Sequence, residues 1–356
     1  MPENKINIEK HIRNFSFLSK IIDDYLESNL QENDNNKKLI DYAINQSIIH
    51  NSFFTETTIR FALKSISDSL IPDKLYKWIS AYSFQENSAI SIRTVGVVMA
   101  GNIPLVGFHD FLCVIISGNK FFGKLSHSDS FMLPAIAEIL IDIDSDYSSK
   151  IEFTTEKLER FHAVIATGSN NTSRYFEYYF SKYLNIIRKN RTSLGVISGN
   201  ETLEQLTHLA DDIFMYFGLG CRNVTKLFVP QNYDFSQFIR ACNGYSPICD
   251  HNKYKNNYDY YKTIFIMNNQ PFIDSGFFLL HEDISIHPPV SIINYEYYTN
   301  KQSVIDFINS QAENIQCIVS DNFEIKNRIC FGSAQKPQLW DYSDNTDTMN
   351  FLLNLK

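Results

Sequence analysis

Residues 214–230 read FMYFGLGCRNVTKLFVP and form the most informative stretch of the chain. One cysteine, Cys221, lies between a turn that contains Gly218 and Gly220 and a run typical of a β-strand, residues 224–229. A thiol where an apolar helix gives way to a strand is well placed for nucleophilic attack, because the turn glycines let the backbone approach a substrate and its N–H groups can stabilise an oxyanion. A cysteine in apolar surroundings is also common in protein cores. This stretch alone leaves both interpretations open.

The composition is that of a globular protein. Of the 356 residues, 44% are hydrophobic and 20% are charged, and the formal net charge is −8. The length is sufficient for two domains or for one large α/β unit. No long basic run is present, which argues against nucleic acid as a partner, because such binding depends on clustered Lys and Arg.

The cysteines and the apolar segments indicate a cytoplasmic protein. The six cysteines are scattered without a CxxC motif, which predicts reduced thiols and no metal site. The longest apolar region, residues 95–116, is interrupted by polar residues and a proline, so we expect no transmembrane segment. The first fifteen residues are polar and lack the apolar core of a signal peptide.

The first 90 residues predict helices. Apolar residues recur at helical spacing over residues 12–26 and again over residues 59–70. This region contains no catalytic pattern, so we interpret it as a helical cap or a docking surface.

From residue 91 the pattern changes to strands that alternate with helices. The strands are predicted in SIRTVGVVMAG from residue 91, in KFFGKL from residue 120, in HAVIATG from residue 162 and in RTSLGVISG from residue 191, and residues 131–143 predict a helix. This alternation is typical of a mostly parallel, doubly wound sheet. Ligands bind such sheets at the carboxyl ends of the strands, where Asn102, Lys124, Gly168 and Ser169 follow.

A second α/β block is predicted after Cys221. Its strands are expected over residues 225–229, 261–267 and 286–293, with a helix over residues 235–242 and a polar connection over residues 245–260. The tail, residues 331–356, is expected to be irregular before a last helix.

Taken in order, these turns resemble the motifs of the aldehyde dehydrogenase superfamily. VGVVMAGNIPLVG resembles the family's strand and loop that end in an Asn-x-Pro-Leu pattern. KFFGKLSHSDSFMLP resembles its lysine-bearing strand and turn, and IATGSNNTSR resembles its FTGSTEVGR turn. RTSLGVISG resembles the ELGGKNP segment, and the stretch around Cys221 resembles the nucleophile segment. Within the superfamily the chain is most similar to the fatty-acyl-CoA reductases of the bioluminescence LuxC type, also in its tail, FGSAQKPQLWDY.

The resemblance implies an aldehyde-dehydrogenase-like α/β fold. It combines a Rossmann-like cofactor domain with a smaller α/β catalytic domain and a helical N-terminal region. We expect the helical region over residues 1–80, the cofactor domain over 81–210, the catalytic domain over 211–320, and a tail over 321–356 that packs on the cofactor domain or on a partner.

The resemblance also implies roles for single residues in catalysis. Cys221 matches the nucleophile, which would attack an acyl thioester and hold the acyl group as a thioester of its own. Asn102 matches the asparagine that stabilises the oxyanion together with a backbone N–H. Judged from its neighbours alone, Asn102 fits equally a turn before Pro104.

Four further residues match cofactor-binding positions. Lys124 and Ser126 lie in the segment that contacts the cofactor ribose, although a solvated loop would also account for Lys124. Gly168 and Ser169 match a turn at a helix N-terminus, where N–H groups hold a pyrophosphate.

The departures from the family pattern are informative. Ser193 stands where the family has the glutamate that activates water to hydrolyse the acyl-enzyme. Its absence favours a reductase, or transfer to a thiol, over a hydrolytic dehydrogenase, because a hydride resolves the acyl-enzyme without water. The sequence leaves open whether Glu201 or Glu204 supplies a carboxylate near Cys221 in place of the missing glutamate.

Two further family carboxylates have no counterpart. His127 stands where members that prefer NAD carry an acid, so the resemblance allows NADPH, with NADH as the other option. In SIHPPV, residues 285–290, Ser285 replaces the glutamate that contacts the nicotinamide ribose. His287 in the same segment is either an acid or base near the reacting group or a structural residue.

We therefore expect an NADPH-dependent acyl-CoA reductase that converts a fatty acyl thioester of CoA or of a carrier protein to an aldehyde. The alternative is an acyl-transfer protein of the same fold that passes the acyl group to a partner enzyme. The third alternative is a non-catalytic interaction protein that has retained only the fold. The resemblance also implies a homo-oligomer and a partner such as an acyl-protein synthetase or a thioesterase.

Overall fold

The computed structural model describes residues 6–84 and 92–355, with only the backbone of residue 170. The α-helices in this part of the chain are α1 (Ile8–Leu26), α2 (Asn35–His50), α3 (Glu56–Ser69), α4 (Pro72–Ile79), α5 (Phe108–Ile116), α6 (Met132–Ile143), α7 (Asn170–Phe180), α8 (Leu203–Phe214), α9 (Ser236–Cys242), α10 (Asn252–Met267), α11 (Lys301–Ser310) and α12 (Thr348–Leu353).

The strands in the same part of the chain form two sheets. They are β1 (Thr94–Val98), β2 (Lys120–Lys124), β3 (Ile151–Thr154), β4 (Ala163–Thr167), β5 (Leu184–Arg188), β6 (Thr192–Val196), β7 (Val224–Pro230), β8 (Ile273–Asp274), β9 (Leu279–Glu282), β10 (Ile292–Tyr298) and β11 (Ile315–Val319). The α/β fold class expected from the sequence is confirmed.

Helices α1 to α4 confirm the helical N-terminal region, and their ends follow local chemistry. Asp34 caps α2 through its side chain, a reciprocal pair of Thr55 and Thr58 caps α3, and α4 begins at Pro72. Proline suits the first helical position because the N–H it lacks would have no partner there. The apolar stripe of α1 includes Phe15 and Leu18, which are fully buried.

The chain divides into two compact units, and each is described by itself. The first comprises the described residues up to Lys189 and from Gln338 onward. Its parallel sheet has the strand order β3-β2-β1-β4-β5, so the carboxyl ends of β2, β1 and β4 are neighbours along one edge. The strand order reverses between β1 and β4, which is the position where open α/β sheets bind ligands.

The end of the tail, from residue 338 onward, is fixed to the first unit by polar contacts, whereas residues 321–337 of the expected tail belong to the second unit. Trp78 Nε1 donates to the Tyr342 hydroxyl at 2.7 Å, and Arg188 Nη2 donates to Thr348 Oγ1 at 2.9 Å. Arg188 also makes a two-point ion pair with Asp110, and both side chains are almost fully buried.

The second unit comprises residues 190–337. Its sheet has the order β11-β6-β7-β10-β9-β8, in which all neighbours are parallel except β8 and β9. The amino ends of β6 and β7 lie side by side, with Ser193 paired to Val224. The residues just before these two strands therefore come together.

Two of the expected strands are wrong. Residues 261–267 form the end of α10, in which Tyr254, Tyr258 and Phe265 are buried at helical spacing. The strand prediction followed the β-propensity of Tyr, Ile and Phe, but burial of one helical face outweighs such propensities. Residues 286–291 are not a strand, and β10 begins only at Ile292, since Pro288 and Pro289 cannot donate ladder hydrogen bonds.

The boundaries of the units also differ from the expected ones. The division falls between Lys189 and Asn190, whereas the boundary expected at residue 210 falls within α8. The reason is that β6 pairs with β7 and β11 and so belongs to the second sheet. Ser91, where the first strand was expected to begin, lies outside the described residues.

Candidate active site

Cys221 follows a strained turn in the second unit. The three consecutive residues Tyr216, Phe217 and Gly218 have φ values of 56°, 58° and 75°. Left-handed backbone is uncommon for residues other than glycine and costs of order 1–3 kcal/mol per residue, so surrounding contacts must hold it. Both aromatic side chains are buried, which supplies part of that support.

The fully buried side chain of Asn223 supplies most of the polar support. Its Oδ1 accepts a hydrogen bond from the Gly220 N–H at 2.8 Å. Its Nδ2 faces the carbonyl oxygens of Asp212, Ile213 and Met215 at 3.1, 3.1 and 2.8 Å. The turn before Cys221 is thus tied to the end of α8. Asn223 was not among the residues predicted from the sequence, although a polar residue just before an apolar strand was a usable signal.

Ser193 lies beside the backbone of Cys221. Its buried Oγ donates to the Cys221 carbonyl at 3.1 Å and lies 2.9 Å from the Cys317 Sγ. The position that resembles the water-activating glutamate therefore carries a hydroxyl that is already engaged.

The two glutamates considered as substitutes are placed elsewhere. Glu201 accepts from the Ser198 N–H at 2.7 Å and from the Gly199 N–H at 2.9 Å, so it closes the loop that follows the carboxyl end of β6. Ser193, by contrast, is near the amino end of the same strand. Glu204 is exposed in the first turn of α8. Neither glutamate therefore takes the place beside the Cys221 carbonyl that Ser193 occupies.

A cavity of about 190 Å³ adjoins the turn before Cys221. Gly218, Leu219 and Gly220 line it, together with Tyr254 of α10 and residues from the segment before β10. That segment is fixed by Asn294, whose Nδ2 donates to the Ser285 carbonyl at 2.9 Å. The cavity is therefore built by the amino-terminal ends of the strands in the second sheet.

Ser285 and His287 take the places of two family residues in this segment. The Ser285 N–H donates to Asp283 Oδ1 at 2.7 Å, and its Oγ accepts from the His287 N–H at 3.3 Å. Ser285 thus shapes a turn. His287 lines the cavity, and partial burial lowers its pKa below the ordinary value, which favours the neutral imidazole.

In the first unit, Asn102 and Lys124 lie in loops at neighbouring strand ends. Asn102 is exposed in the loop after β1. Lys124 ends β2, and its Nζ donates to the carbonyls of Thr155 and Glu156 at 2.9 and 3.1 Å. The ammonium group therefore joins the loops that follow β2 and β3.

The loops after β1 and β2 are in close contact. A Cβ on Gly101 would overlap Ser126 Oγ, so only glycine fits beside Ser126. Asn51, at the end of α2, donates from its Nδ2 to the Gly101 carbonyl at 3.2 Å and to the Ser128 carbonyl at 3.3 Å. The N-terminal region, for which the sequence suggested a helical cap or a docking surface, thus connects the two loops.

Asp129 forms a hydrogen bond to the backbone of the loop that contains Asn102. Its Oδ2 accepts from the Leu105 N–H at 2.8 Å, where Leu105 has a φ of 59°. Its Oδ1 has no hydrogen-bond partner among the described residues, and burial raises the pKa of Asp129 to about 7. Asp129 was not among the residues predicted from the sequence.

Gly168 and Ser169 form the turn that begins α7. Ser169 Oγ accepts from the Thr172 N–H at 3.2 Å, which caps the helix. A Cβ on Gly168 would come within 2.8 Å of Phe176 and 3.0 Å of Thr172. The backbone therefore packs closely at a helix N-terminus, the kind of position that favours phosphate groups.

The structure brings five of the predicted residues together along one edge of the first sheet: Asn102, Lys124, Ser126, Gly168 and Ser169. Cys221 belongs to the second unit. Within residues 6–84 and 92–355, no group of three His, Cys, Asp or Glu side chains is placed to hold a metal ion. In the described chain, no helix is both long enough and apolar enough to span a membrane.

The fold is that of the aldehyde dehydrogenases. The indole-3-acetaldehyde dehydrogenase AldA of P. syringae, a mutant in complex with NAD+ and IAA, aligns with a TM-score of 0.62 and 10% identity over 89% of this chain and 73% of that one. Aldehyde dehydrogenase 21 of Physcomitrella patens, in complex with succinate, gives a TM-score of 0.64 and 11% identity over 96% and 84%. The NAD+ complex of an aldehyde dehydrogenase from Bacillus cereus gives a TM-score of 0.62 and 12% identity over 92% of this chain and 74% of that one.

A narrower assignment comes from the sequence itself. The profile of the acyl-CoA reductase (LuxC) family matches residues 56–241, just over half of the chain. The chain belongs to this family, which confirms the resemblance seen in its motifs. No curated protein matches the sequence. Family and fold together support an oxidoreductase that acts on acyl groups.

Proposed function

We propose that the protein reduces an acyl thioester to an aldehyde with NADPH, through an S-acyl intermediate on Cys221. The observation that supports this best is the hydrogen bond from the Ser193 hydroxyl to the Cys221 carbonyl, in a chain that belongs to the acyl-CoA reductase family. The nucleophile is presented by a rigid turn, and a hydroxyl group stands where a hydrolytic enzyme needs a carboxylate.

In the first step, the Cys221 thiolate attacks the carbonyl carbon of the thioester, and the CoA thiolate leaves as the new C–S bond forms. The negative charge that develops on the carbonyl oxygen is stabilised by the Cys221 N–H, and the family pattern implies the Asn102 amide as the second donor. After reduction the same groups stabilise the thiohemiacetal oxyanion. Its collapse breaks the C–S bond, releases the aldehyde and restores the thiolate.

The first unit has the features of a nucleotide site. The reversal of strand order between β1 and β4, the Gly168–Ser169 turn and the Lys124–Ser126 segment lie on one sheet edge. Bound there, the nicotinamide cofactor would supply the hydride that reduces the acyl group. Two of the aligned aldehyde dehydrogenases are complexes with NAD+, which supports a nicotinamide cofactor.

The preference for NADPH is the finer part of the proposal. His127 is exposed in the loop after Lys124, at the place where a carboxylate would repel a 2′-phosphate. Since no such carboxylate is present at residue 127, the loop tolerates NADPH, and NADH remains the second cofactor to test.

The proposal is tested by following cofactor oxidation with acyl-CoA substrates, for the wild type and for Cys221→Ala. We expect acyl-CoA-dependent oxidation of NADPH that the substitution abolishes. The matched control is Cys330→Ala, which removes an exposed thiol and should keep the activity. Equal rates in wild type and Cys221→Ala would contradict the proposal.

Acyl transfer to a partner enzyme is the second candidate. It is favoured by Ser285 at the family's ribose-binding glutamate and by the engagement of Lys124 with backbone carbonyls. A Cys221-dependent acyl adduct without cofactor oxidation would select it. A carrier protein in place of CoA, a homo-oligomer, and an acyl-protein synthetase or thioesterase as partner belong to the same set of proposals.

A further inference from the structure

Asn51, which follows the last residue of α2, has a side chain that is held in one orientation. Its Oδ1 accepts from the Phe53 N–H at 3.0 Å, and this contact identifies the amide oxygen, because a backbone N–H can only donate. Its Nδ2 donates to the Gly101 carbonyl at 3.2 Å and to the Ser128 carbonyl at 3.3 Å. Since an amide NH2 group carries two hydrogens, Asn51 can serve both carbonyls at once.

These two carbonyls belong to the loops that carry the proposed site of the first unit. Gly101 lies in the loop of residues 99–107, here called the β1 loop, directly before Asn102. Ser128 lies in the loop of residues 125–131, here called the β2 loop, which continues the cofactor segment proposed above. The Asn51 amide therefore links the proposed oxyanion donor to the proposed cofactor segment through the backbone of both loops.

The end of α2 makes a second contact with the β2 loop. The His50 and Phe131 rings lie with their centroids 4.7 Å apart and their planes tilted by 50°. Phe131 is the last residue of the β2 loop, directly before α6. Two neighbouring residues of the N-terminal region thus hold this loop, one through its ring and one through its amide.

The β1 and β2 loops also touch each other directly. A Cβ on Gly101 would lie 2.8 Å from Ser126 Cβ and 3.0 Å from Ser128 Cβ, which is too close for either contact. Asp129 adds a polar contact: its Oδ2 accepts from the Leu105 N–H at 2.8 Å, and its own N–H donates to the Ser126 carbonyl at 3.1 Å. Asp129 therefore closes the turn of the β2 loop and at the same time holds the β1 loop against it.

The conformation of the β1 loop needs this support. Leu105 has a φ of 59°, in the left-handed region that residues other than glycine rarely adopt. Such a backbone persists only where surrounding contacts hold it. Both Leu105 and Asp129 are less than one-tenth exposed, so the hydrogen bond between them is shielded from water and costly to lose. The shape of the β1 loop therefore depends on the β2 loop.

We propose that Asn51 and Asp129 are positioning residues of the proposed active site. They hold the β1 and β2 loops as one rigid body, so that Asn102 and the cofactor segment keep a fixed spacing before the cofactor binds. Preorganisation of this kind strengthens binding, because the loops need no ordering when the ligand arrives. The inference rests on the proposed function and gives the helical N-terminal region a part in it.

The first measurement is amide hydrogen exchange without cofactor, read by mass spectrometry of peptides from the two loops. Asn51→Asp keeps the acceptor for the Phe53 N–H, but it loses both donors and places a carboxylate against two carbonyls. We expect exchange in both loops to become faster by roughly twofold to thirtyfold. Asp129→Ala should act in the same way. Asp129→Asn retains an acceptor for the Leu105 N–H and should stay close to the wild type.

Ser19→Ala is the control for stability. The Ser19 Oγ donates to the Ser67 carbonyl at 2.8 Å, so this variant removes a buried hydrogen bond between α1 and α3 that involves neither loop. It should lower the melting temperature but leave exchange in the β1 and β2 loops unchanged. Equal acceleration in Ser19→Ala and Asn51→Asp would mean that lost stability alone loosens the loops, and would overturn the inference.

The second measurement is the Kd of NADPH, followed by fluorescence, with NADH measured in parallel. Asn51→Asp and Asp129→Ala should weaken binding of the preferred cofactor by roughly twofold to thirtyfold. Ser19→Ala and Asp129→Asn should bind it as the wild type does. A merely structural role would change the melting temperature without changing the Kd, so an unaltered Kd in a folded Asn51→Asp would overturn the inference.

Gly101→Ala replaces Asn51→Asp if the latter does not fold. It keeps every hydrogen-bonding group but adds a methyl group where Ser126 and Ser128 leave no room, so the two loops must separate. Faster exchange in both loops and a raised Kd are expected again. Wild-type values for both quantities in Gly101→Ala would overturn the inference.

The inference and the proposed function fail differently. Wild-type exchange in the loops of Asn51→Asp would overturn the inference, even where acyl-CoA-dependent oxidation of NADPH is confirmed. If the wild type binds neither NADPH nor NADH, the proposed function fails and exchange alone decides. Acceleration confined to the β1 and β2 loops would then support their linkage by Asn51 and Asp129, and unchanged exchange would overturn it.

Discussion

Asn223 and Gly220, on either side of Cys221, form two hydrogen bonds with each other. The Gly220 N–H donates to Asn223 Oδ1 at 2.8 Å, and the Asn223 N–H donates to the Gly220 carbonyl at 3.0 Å. The loop closed by these two bonds contains only Cys221 and Arg222, and Arg222 is itself tied down, since its Nε donates to the Ala334 carbonyl at 2.6 Å. The backbone that carries Cys221 is therefore held in place by the fold before any substrate binds.

Removing the Asn223 side chain should loosen this loop. In Asn223→Ala the Gly220 N–H and three carbonyls lose a buried partner, so we expect a loss of about 2–3 kcal/mol in the free energy of unfolding. The rate of Cys221 alkylation by iodoacetamide should also change at a denaturant concentration where both proteins are folded. Asn257→Ala, which removes an exposed amide bonded to the Lys253 carbonyl, is the control and should alter neither quantity. An unchanged alkylation rate in Asn223→Ala would speak against a positioning role.

The hydroxyl at residue 193 has a kinetic consequence. Because residue 193 carries a hydroxyl group in place of a carboxylate, the acyl-enzyme should persist in water. An activated ester such as p-nitrophenyl acetate should therefore give a burst of about one equivalent of nitrophenol, followed by slow turnover. Stopped-flow absorbance measures both phases. Rapid steady-state hydrolysis without a burst would show that another group activates water.

The burial of Asp129 predicts a pH-dependent stability. Its pKa is about 7 in the folded protein, above the ordinary value of 3.8. The contribution of Asp129 is thus fully present below pH 3.8 and is lost as the pH rises through about 7. Relative to wild type, the free energy of unfolding of Asp129→Asn should rise by about 2.5 kcal/mol between pH 5 and pH 8. Urea unfolding at the two pH values measures this gain, with the exposed Asp142→Asn as the control of equal charge change. A gain of the opposite sign would show that the carboxylate is stabilised when ionised.

The ion pair of Arg188 and Asp110 should be important for the stability of the first unit. Both side chains are less than one-tenth exposed, so Arg188→Ala leaves a buried carboxylate without its partner. We expect a loss of about 3–5 kcal/mol in the free energy of unfolding. The neighbouring Lys189→Ala breaks an exposed pair with Glu177 and should cost less than about 1 kcal/mol. Similar losses in the two variants would contradict the structural argument.

Most local features of the fold could be predicted from the sequence. Apolar periodicity revealed helices α1 and α3, and strand–turn–helix patterns located β1, β2, β4, β6 and β7 with their loops. It also identified the residues that follow those strands, because parallel strands place their carboxyl ends along one edge. Motif resemblance then supplied the family.

Other features depend on contacts between distant residues, which no local pattern reveals. Residues 261–267 are helical because Tyr254, Tyr258 and Phe265 share one buried face, a periodicity visible only when the preceding polar segment is included. Asn51 joins two loops that are 50 and 77 residues further along the chain. The hydrogen bond from the Leu105 N–H to Asp129 Oδ2 is likewise visible only in the folded structure.

The central claim is that Cys221 carries the acyl group during reduction. Its most direct test is the intact mass of the protein after brief exposure to an acyl-CoA without cofactor, and again after NADPH is added. The account predicts one acyl adduct on the wild type, none on Cys221→Ala, and loss of the adduct with release of aldehyde once NADPH is present. An adduct that forms equally on Cys221→Ala, or reduction to aldehyde by that variant, would contradict it.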